Sequence, residues 1–293
     1  MALDTYSFMT ELTDRVRKIS DPGMRRYKFA SYITRLSNED ACSVVEAIYA
    51  DAVAHRLPGR LLLENFAYME EIETIAGTSL MEEWYITANK MGLRFAGEIV
   101  YPPRYTERHV NYDGHKDLAK LTIGEKKAMA KKPDAVLIEK LMFDPEPSVI
   151  AILLNNPRLL TKHVVTMANH RPNKPSVIER IFIHPKWSRV YEVRKALSSN
   201  PYTYPSMAIT LLPGLNSQDL KLLEFGSNLS SNLVRQILAY RRELFGEDEP
   251  RQADDEFFGE VSDAAAAEFA ERLEATGYFE AEIESVEVEK DET

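Results

Sequence analysis

The chain contains one cysteine, Cys42, in 293 residues. An intramolecular disulfide is therefore excluded, and a zinc site built on several thiolates has no ligand set. Glycine is also scarce, at 12. The Gly-rich loops that cradle phosphates are missing, as are the Gly-x-Ser-x-Gly elbow of hydrolases and the His-Glu-x-x-His pair of zinc proteases. With few preorganised loops to carry a site, the expectation is a protein that is not an enzyme and takes no cofactor. No apolar run approaches the roughly 20 residues that span a bilayer. The first residues, Met1 to Ser20, lack the apolar core of a secretory signal. These absences point to a cytoplasmic chain with no membrane partner. The lone Cys42 precedes Val44, Val45 and Ile48, the pattern of a core thiol and not of a nucleophile.

What is present is an ordinary globular balance, 44% apolar and 28% charged, with charge sorted along the chain. Residues 1–115 carry 13 Lys and Arg against 17 Asp and Glu, a net of −4. Residues 116–245 carry 20 against 11, a net of +9, and residues 246–293 carry 3 against 18, a net of −15. Sorting of this kind speaks to partners and not to fold.

Residues 1–96 read as an N-terminal helical domain. Tyr6, Phe8, Met9, Leu12, Val16 and Ile19 fall at helical spacing, and Asp21-Pro22-Gly23 breaks that helix. A second helix runs from about Met24 to Leu36. Ser37-Asn38-Glu39-Asp40 has the form of a capping box opening a third, which extends to about His55. The pattern then predicts one helix from Arg60 to Ile75, and another opened by Ser79 and closed at Met91-Gly92. Residues 97–117 read as an irregular connector, with Gly97 to Tyr101 as a candidate strand. His109, Asp113, His115 and Asp117 in this connector have metal-like spacing, but no second cluster completes a coordination shell, so no metal is assigned. Glu70, Glu71, Glu73, Glu82 and Glu83 read as a solvated helix face.

From residue 118 to 245 the sequence repeats. Leu121-Thr122 and Lys132-Pro133 recur as Leu160-Thr161 and Arg171-Pro172, a spacing of 39. Leu137-Ile138-Glu139-Lys140-Leu141 before Asp144-Pro145 matches Val177-Ile178-Glu179-Arg180-Ile181 before His184-Pro185. Asn155-Asn156-Pro157 matches Ser199-Asn200-Pro201, now 44 apart, and a third copy begins at Tyr204-Pro205 and decays through Leu233 to Ile237. Proline stops each helix after about ten residues, and each helix has one apolar face that it cannot bury alone. Stacked neighbours would bury it, which is the logic of an α-solenoid. The expected fold class is therefore all-α: an α-solenoid of short proline-punctuated helices preceded by an N-terminal helical domain.

The punctuation Asp144-Pro145 to Val149, Asn155-Asn156-Pro157, Val164 and Met167-Ala168, echoed by His184-Pro185, Val193-Arg194 and Asn200-Pro201, resembles the bacterial leucine-rich-repeat-variant and HEAT-like helical repeats. The resemblance spans about residues 121–242 and implies short helices alternating with helical turns in a superhelix. It implies no catalytic or cofactor residue. The chain lacks the N-terminal cysteines that hold an iron–sulfur cluster in some members.

Residues 246–293 form an acidic tail, expected to be largely disordered, with a helix pattern over 261–276. Phe257, Phe258, Phe269, Leu273, Tyr278 and Phe279 are its apolar anchors for docking on a partner or on the chain's own basic repeats. His163, His170 and His184 sit near helix ends, where a cation complements the dipole. The candidate partner-binding residues are Lys126, Lys127, Lys131, Lys132, Arg158, Lys162, Arg194, Lys195, Arg241 and Arg242, with Trp187 as an aromatic anchor. The expected function is a scaffold that binds a protein partner with an acidic segment, the chain's own tail included. Nucleic acid is the alternative partner, disfavoured by the lack of aromatics among the basic residues.

Overall fold

Short polar side chains at the junctions decide where the helices start. The computed structural model describes residues 3–105, 112, 114–226 and 229–246. Among them every regular element is helical, with 16 α-helices, four short 3-10 turns and no strand. Contacts divide the described residues into two compact units, one within residues 3–105 and 194–246 and the other within residues 112–193. The division falls inside the stretch read as one repeat region.

In the first unit Asp4 caps α1 (Thr5–Arg17), its carboxylate accepting from the Ser7 N–H at 3.2 Å. Asp21 caps α2 (Pro22–Ile33), and Pro22 supplies the preset φ of a first turn, so the expected break is the start of the next helix. Ser37 caps α3 (Asn38–Val53), accepting from the Asp40 N–H at 3.1 Å.

The single helix expected from Arg60 to Ile75 is in fact three pieces: α4 (Gly59–Leu62), a 3-10 turn (Leu63–Tyr68) and α5 (Met69–Ala76). The reason is Asn65, only 1% exposed, whose side-chain amide donates to the Leu62 carbonyl at 2.9 Å and competes with the α-helical ladder there. Gly59 permits α4 to lie against α3, because a Cβ there would stand 2.4 Å from the Ile48 carbonyl. Gly77, with φ +83°, turns the chain into α6 (Thr78–Lys90), which carries no side-chain cap; Ser79 lies inside the helix.

The candidate strand at Gly97 to Tyr101 is α7 (Ala96–Val100). Its start is set from outside, by Glu46 of α3, whose carboxylate accepts from the N–H groups of Arg94, Phe95 and Ala96 at 3.0, 2.7 and 2.8 Å. Phe95, Ala96, Ile99 and Val100 are then buried at helical spacing.

The second unit contains α8 (Ile123–Ala130), α9 (Ala135–Leu141), α10 (Pro147–Leu153), α11 (Thr161–Asn169) and α12 (Pro175–Ile183). Thr122 and Glu125 form a reciprocal capping box at α8. The core of this unit includes Ile138, Leu141, Val149, Ile150, Leu153, Val164, Met167, Ile178 and Ile181.

α13 (Tyr191–Ser199) begins in the second unit and ends in the first, which is completed by α14 (Pro205–Leu211), α15 (Ser217–Gly226) and α16 (Ser231–Phe245). α14 is buried at every residue. The Tyr49 hydroxyl donates to the Ile209 carbonyl at 3.0 Å, and Ser206 Oγ donates to the Ala67 carbonyl at 3.0 Å. A helix buried all round has no need of a polar face. Cys42 is fully buried, its thiol donates to the Trp84 carbonyl at 3.3 Å, and burial pushes its pKa up to about 11. It is an inert packing residue.

Candidate interaction surfaces

A helix stopped by proline leaves carbonyls and N–H groups open, and something must satisfy them where they are buried. Buried polar side chains beside the prolines do so, Asp144, His184 and Asn156 in the second unit and Asn200 in the first. Asp144 and His184 each precede a proline and are 2% and 8% exposed. Asp144 Oδ1 accepts from the Glu146 N–H at 3.0 Å, and His184 Nδ1 accepts from the Lys186 N–H at 3.3 Å. Asp144 is also ion-paired with Lys126 at 2.8 Å. His184 Nε2 lies 3.3 Å from Asn155 Oδ1, and burial holds the imidazole down at about 4. The ring is neutral near pH 7, so the expectation of a dipole-complementing cation fails at His184. Burial also lowers His170, and it lowers His163, which sits in the first turn of α11 and not at a C-terminus.

Asn156 and Asn200 form the second pair, 5% and 3% exposed. Asn156 Oδ1 accepts from the Arg158 N–H at 3.0 Å, and Asn200 Oδ1 accepts from the Tyr202 N–H at 3.0 Å. Asn156 Nδ2 donates in addition to the Ala130 carbonyl at 2.7 Å and the Lys132 carbonyl at 2.8 Å. These bonds tie the end of α8 to the turn that leads into α11. Lys131 and Lys132 lie on one side of the junction and Arg158 and Lys162 on the other. All four are exposed. Two aliphatic side chains within four residues of the junction are exposed as well, Val136 at 59% and Leu160 at 52%. The result is a basic edge with apolar footholds.

The remaining candidates divide. Trp187 is a correction: it is 2% exposed, and its indole N–H donates to the Leu154 carbonyl at 2.8 Å, so it packs inside and anchors no partner. Arg194 is fully buried, and Arg241 is 2% exposed with its guanidinium donating to the Pro213 carbonyl at 2.7 Å and to the Leu215 carbonyl. Both are interior residues, and for Arg241 the reason is that a guanidinium aimed at open buried carbonyls satisfies them where water cannot reach. Lys126 is committed to Asp144, and Lys195 pairs with Asp219 at 2.7 Å. Lys127 is half-buried, and Arg242 is exposed but lies in the first unit. Val136 and Leu160 were missed in the sequence reading. The signal was an apolar side chain out of phase with the buried face of its own helix.

Of the metal-like cluster, His109 and Asp113 lie outside the described residues. His115 Nδ1 is 3.7 Å from Asp117 Oδ2, while Asp117 pairs with Lys140 at 2.6 Å, and that lysine holds its carboxyl below the usual range. Among the described residues no three His, Cys, Asp or Glu side chains converge. The anchors Phe257, Phe258, Phe269, Leu273, Tyr278 and Phe279, and the helix expected over 261–276, also lie outside the described residues. Glu70, Glu71, Glu82 and Glu83 are exposed, with Glu71 bonded to Arg26 and Glu83 to Asn38.

One recess among the described residues, about 190 Å³, lies in the second unit and is lined by Phe143, Pro145, His170 and Pro172, the Phe143 and His170 rings being in contact at 4.7 Å. A second, about 310 Å³, lies in the first unit beside the exposed rings of Tyr85 and Tyr101, 5.5 Å apart, with the amides of Asn89, Asn232 and Gln236. The latter is at the lower limit for a small-molecule site. No helix among the described residues is long and apolar enough to cross a membrane. No family model, curated protein or solved structure matches the chain.

Proposed function

We propose that this chain is a non-enzymatic scaffold whose basic helical-repeat edge holds an acidic segment of a protein partner. The observation that supports the reading best is the grouping of Lys131, Lys132, Arg158 and Lys162 around the junction fixed by Asn156. Among the described residues, no carboxylate pairs with Lys132, Arg158 or Lys162. Residues 110–193 carry 14 Lys and Arg against 9 Asp and Glu, a net of +5, so the edge sits in a field of its own sign. The exposed Val136 and Leu160 favour a protein segment over nucleic acid, because aliphatic side chains add buried area but no stacking surface for bases.

In this reading α8 to α12 form a short α-solenoid related to the leucine-rich-repeat-variant and HEAT-like repeats, and the protein works in the cytoplasm. Binding is non-covalent and needs no cofactor. The test is a pair of titrations of the full chain, one with a fluorescent Glu-rich peptide and one with duplex DNA, between about 50 and about 200 mM salt. The scaffold reading expects peptide binding that K131E/K132E weakens about tenfold or more, and weak DNA binding. Tight DNA binding with a steep salt slope, and none to the peptide, would transfer the edge to the nucleic-acid reading.

A further inference from the structure

The recess of about 310 Å³ lies wholly within the first unit, and its lining is of one chemical kind. α6 places Tyr85 and Asn89 one turn apart, and α16 places Asn232 and Gln236 one turn apart. Glu98 and Arg104 complete a set of flat polar groups, and no lysine, serine or threonine lines the recess. Tyr85 and Tyr101 are 43% and 40% exposed, and their rings meet at 5.5 Å with planes tilted by 43°. They form an apolar ledge with two facets. Gly97 of α7 leaves the adjoining wall bare, since a Cβ there would stand 3.5 Å from the Asn89 amide and 3.8 Å from the Tyr85 ring.

Much of the polar lining is uncommitted. Among the described residues, the Gln236 amide and the Arg104 guanidinium have no hydrogen-bond or ion-pair partner. Asn89 Nδ2 donates to the Tyr85 carbonyl at 2.7 Å, and Asn232 Nδ2 donates to Glu98 Oε1 at 2.8 Å. Their Oδ1 atoms and Glu98 Oε2 are left as acceptors among the described residues. Arg94 is already paired with Glu243 at 2.9 Å, so Glu98 balances Arg104 and the lining is close to neutral. A phosphate would meet one unpaired cation with a carboxylate beside it. A planar base would lie flat on only one of two rings tilted by 43°. A sugar matches both features: its C–H groups cover an aromatic face, while its hydroxyls donate and accept along the edge. Two linked sugar rings can follow two facets.

We propose that this recess binds a neutral disaccharide, free or at the end of a longer saccharide. Tyr85 and Tyr101 each carry one sugar ring, and Gln236, Arg104, Asn89 and Asn232 bond its hydroxyls. The site does not depend on the scaffold reading. A small, open recess with few contacts sets the affinity on the order of 0.1 to 1 mM.

Calorimetry and saturation-transfer NMR of the full chain with maltose, cellobiose and N,N′-diacetylchitobiose test this, with AMP as the competing class. At least one disaccharide is expected to bind with a Kd below about 10 mM. Y85A/Y101A should weaken it about tenfold or more, and Gln236→Ala about threefold or more, with circular dichroism and the unfolding midpoint unchanged. Binding of none of the three sugars, binding of AMP alone, or sugar binding that survives Y85A/Y101A would each overturn the proposal. Should Y85A/Y101A fail to fold, Gln236→Ala decides, and unchanged affinity there overturns it. K132E/R158E/K162E should leave sugar binding unchanged, so this proposal and the scaffold reading fail separately.

Discussion

His184 makes the stability of the repeat unit depend on pH in a way that one substitution isolates. The imidazole is 8% exposed, its Nδ1 accepts from the N–H groups of Lys186 and Trp187, and its pKa is held at about 4 against an ordinary 6.5. Burial is the first cause and the nearby Lys186 the second. A histidine whose folded pKa lies below its unfolded value takes up its proton in the unfolded chain first. Its contribution is therefore complete above about pH 6.5 and is lost as pH falls toward 4. One proton over that window costs roughly 1.4 kcal/mol per pH unit, or about 2 to 3 kcal/mol by pH 4.5 to 4. His184→Asn removes the titration and keeps an acceptor, as Asp144 does at the matching position. The assay is urea unfolding between pH 7 and pH 4.5, followed by the fluorescence of Trp187, whose ring lies 6.3 Å from His184. The native chain should lose about 2 kcal/mol more than the variant over that range. Parallel curves for the two proteins would refute the argument, since His55, also held near 4 by burial, titrates identically in both.

Two further substitutions probe the junctions. Asn156→Ala removes two donors to the Ala130 and Lys132 carbonyls and one acceptor for the Arg158 N–H, and should cost about 2 to 4 kcal/mol in urea unfolding of the repeat unit. Asn155→Ala, at an exposed position of the same turn, loses only its bond to the Ala151 carbonyl and its contact with His184, and should cost less, about 1 kcal/mol. Glu46→Gln replaces a carboxylate that accepts three backbone N–H groups at the start of α7, and should cost about 1 to 3 kcal/mol, with hydrogen exchange rising first at Phe95 and Ala96.

The helical class and the starts of the first and third helices were legible because each rests on local chemistry. Asp4, Asp21, Ser37 and Thr122 are caps that act within four residues. What was hidden is non-local. The start of α7 is set by Glu46, about 50 residues away, so its own sequence of Gly, Glu, Ile and Val reads equally as a strand. Arg194 and Arg241 read as surface cations because nothing local reveals that a guanidinium will face buried carbonyls 26 to 28 residues distant, as Arg241 does. Nothing local to Lys126 reveals its ion pair with Asp144 either. The cations of the candidate edge were legible residue by residue, but their grouping was not, because it depends on the bonds that Asn156 makes to the Ala130 and Lys132 carbonyls.

The central claim is that the junction at Asn156 carries the binding surface. Its most direct test compares the affinity of the chain for a Glu-rich peptide with that of the same chain carrying K132E, R158E and K162E. Circular dichroism confirms that both are folded. A loss of about thirtyfold or more is predicted, since three exposed attractive contacts become repulsive. Unchanged affinity in a folded variant would contradict the account and move the binding surface elsewhere.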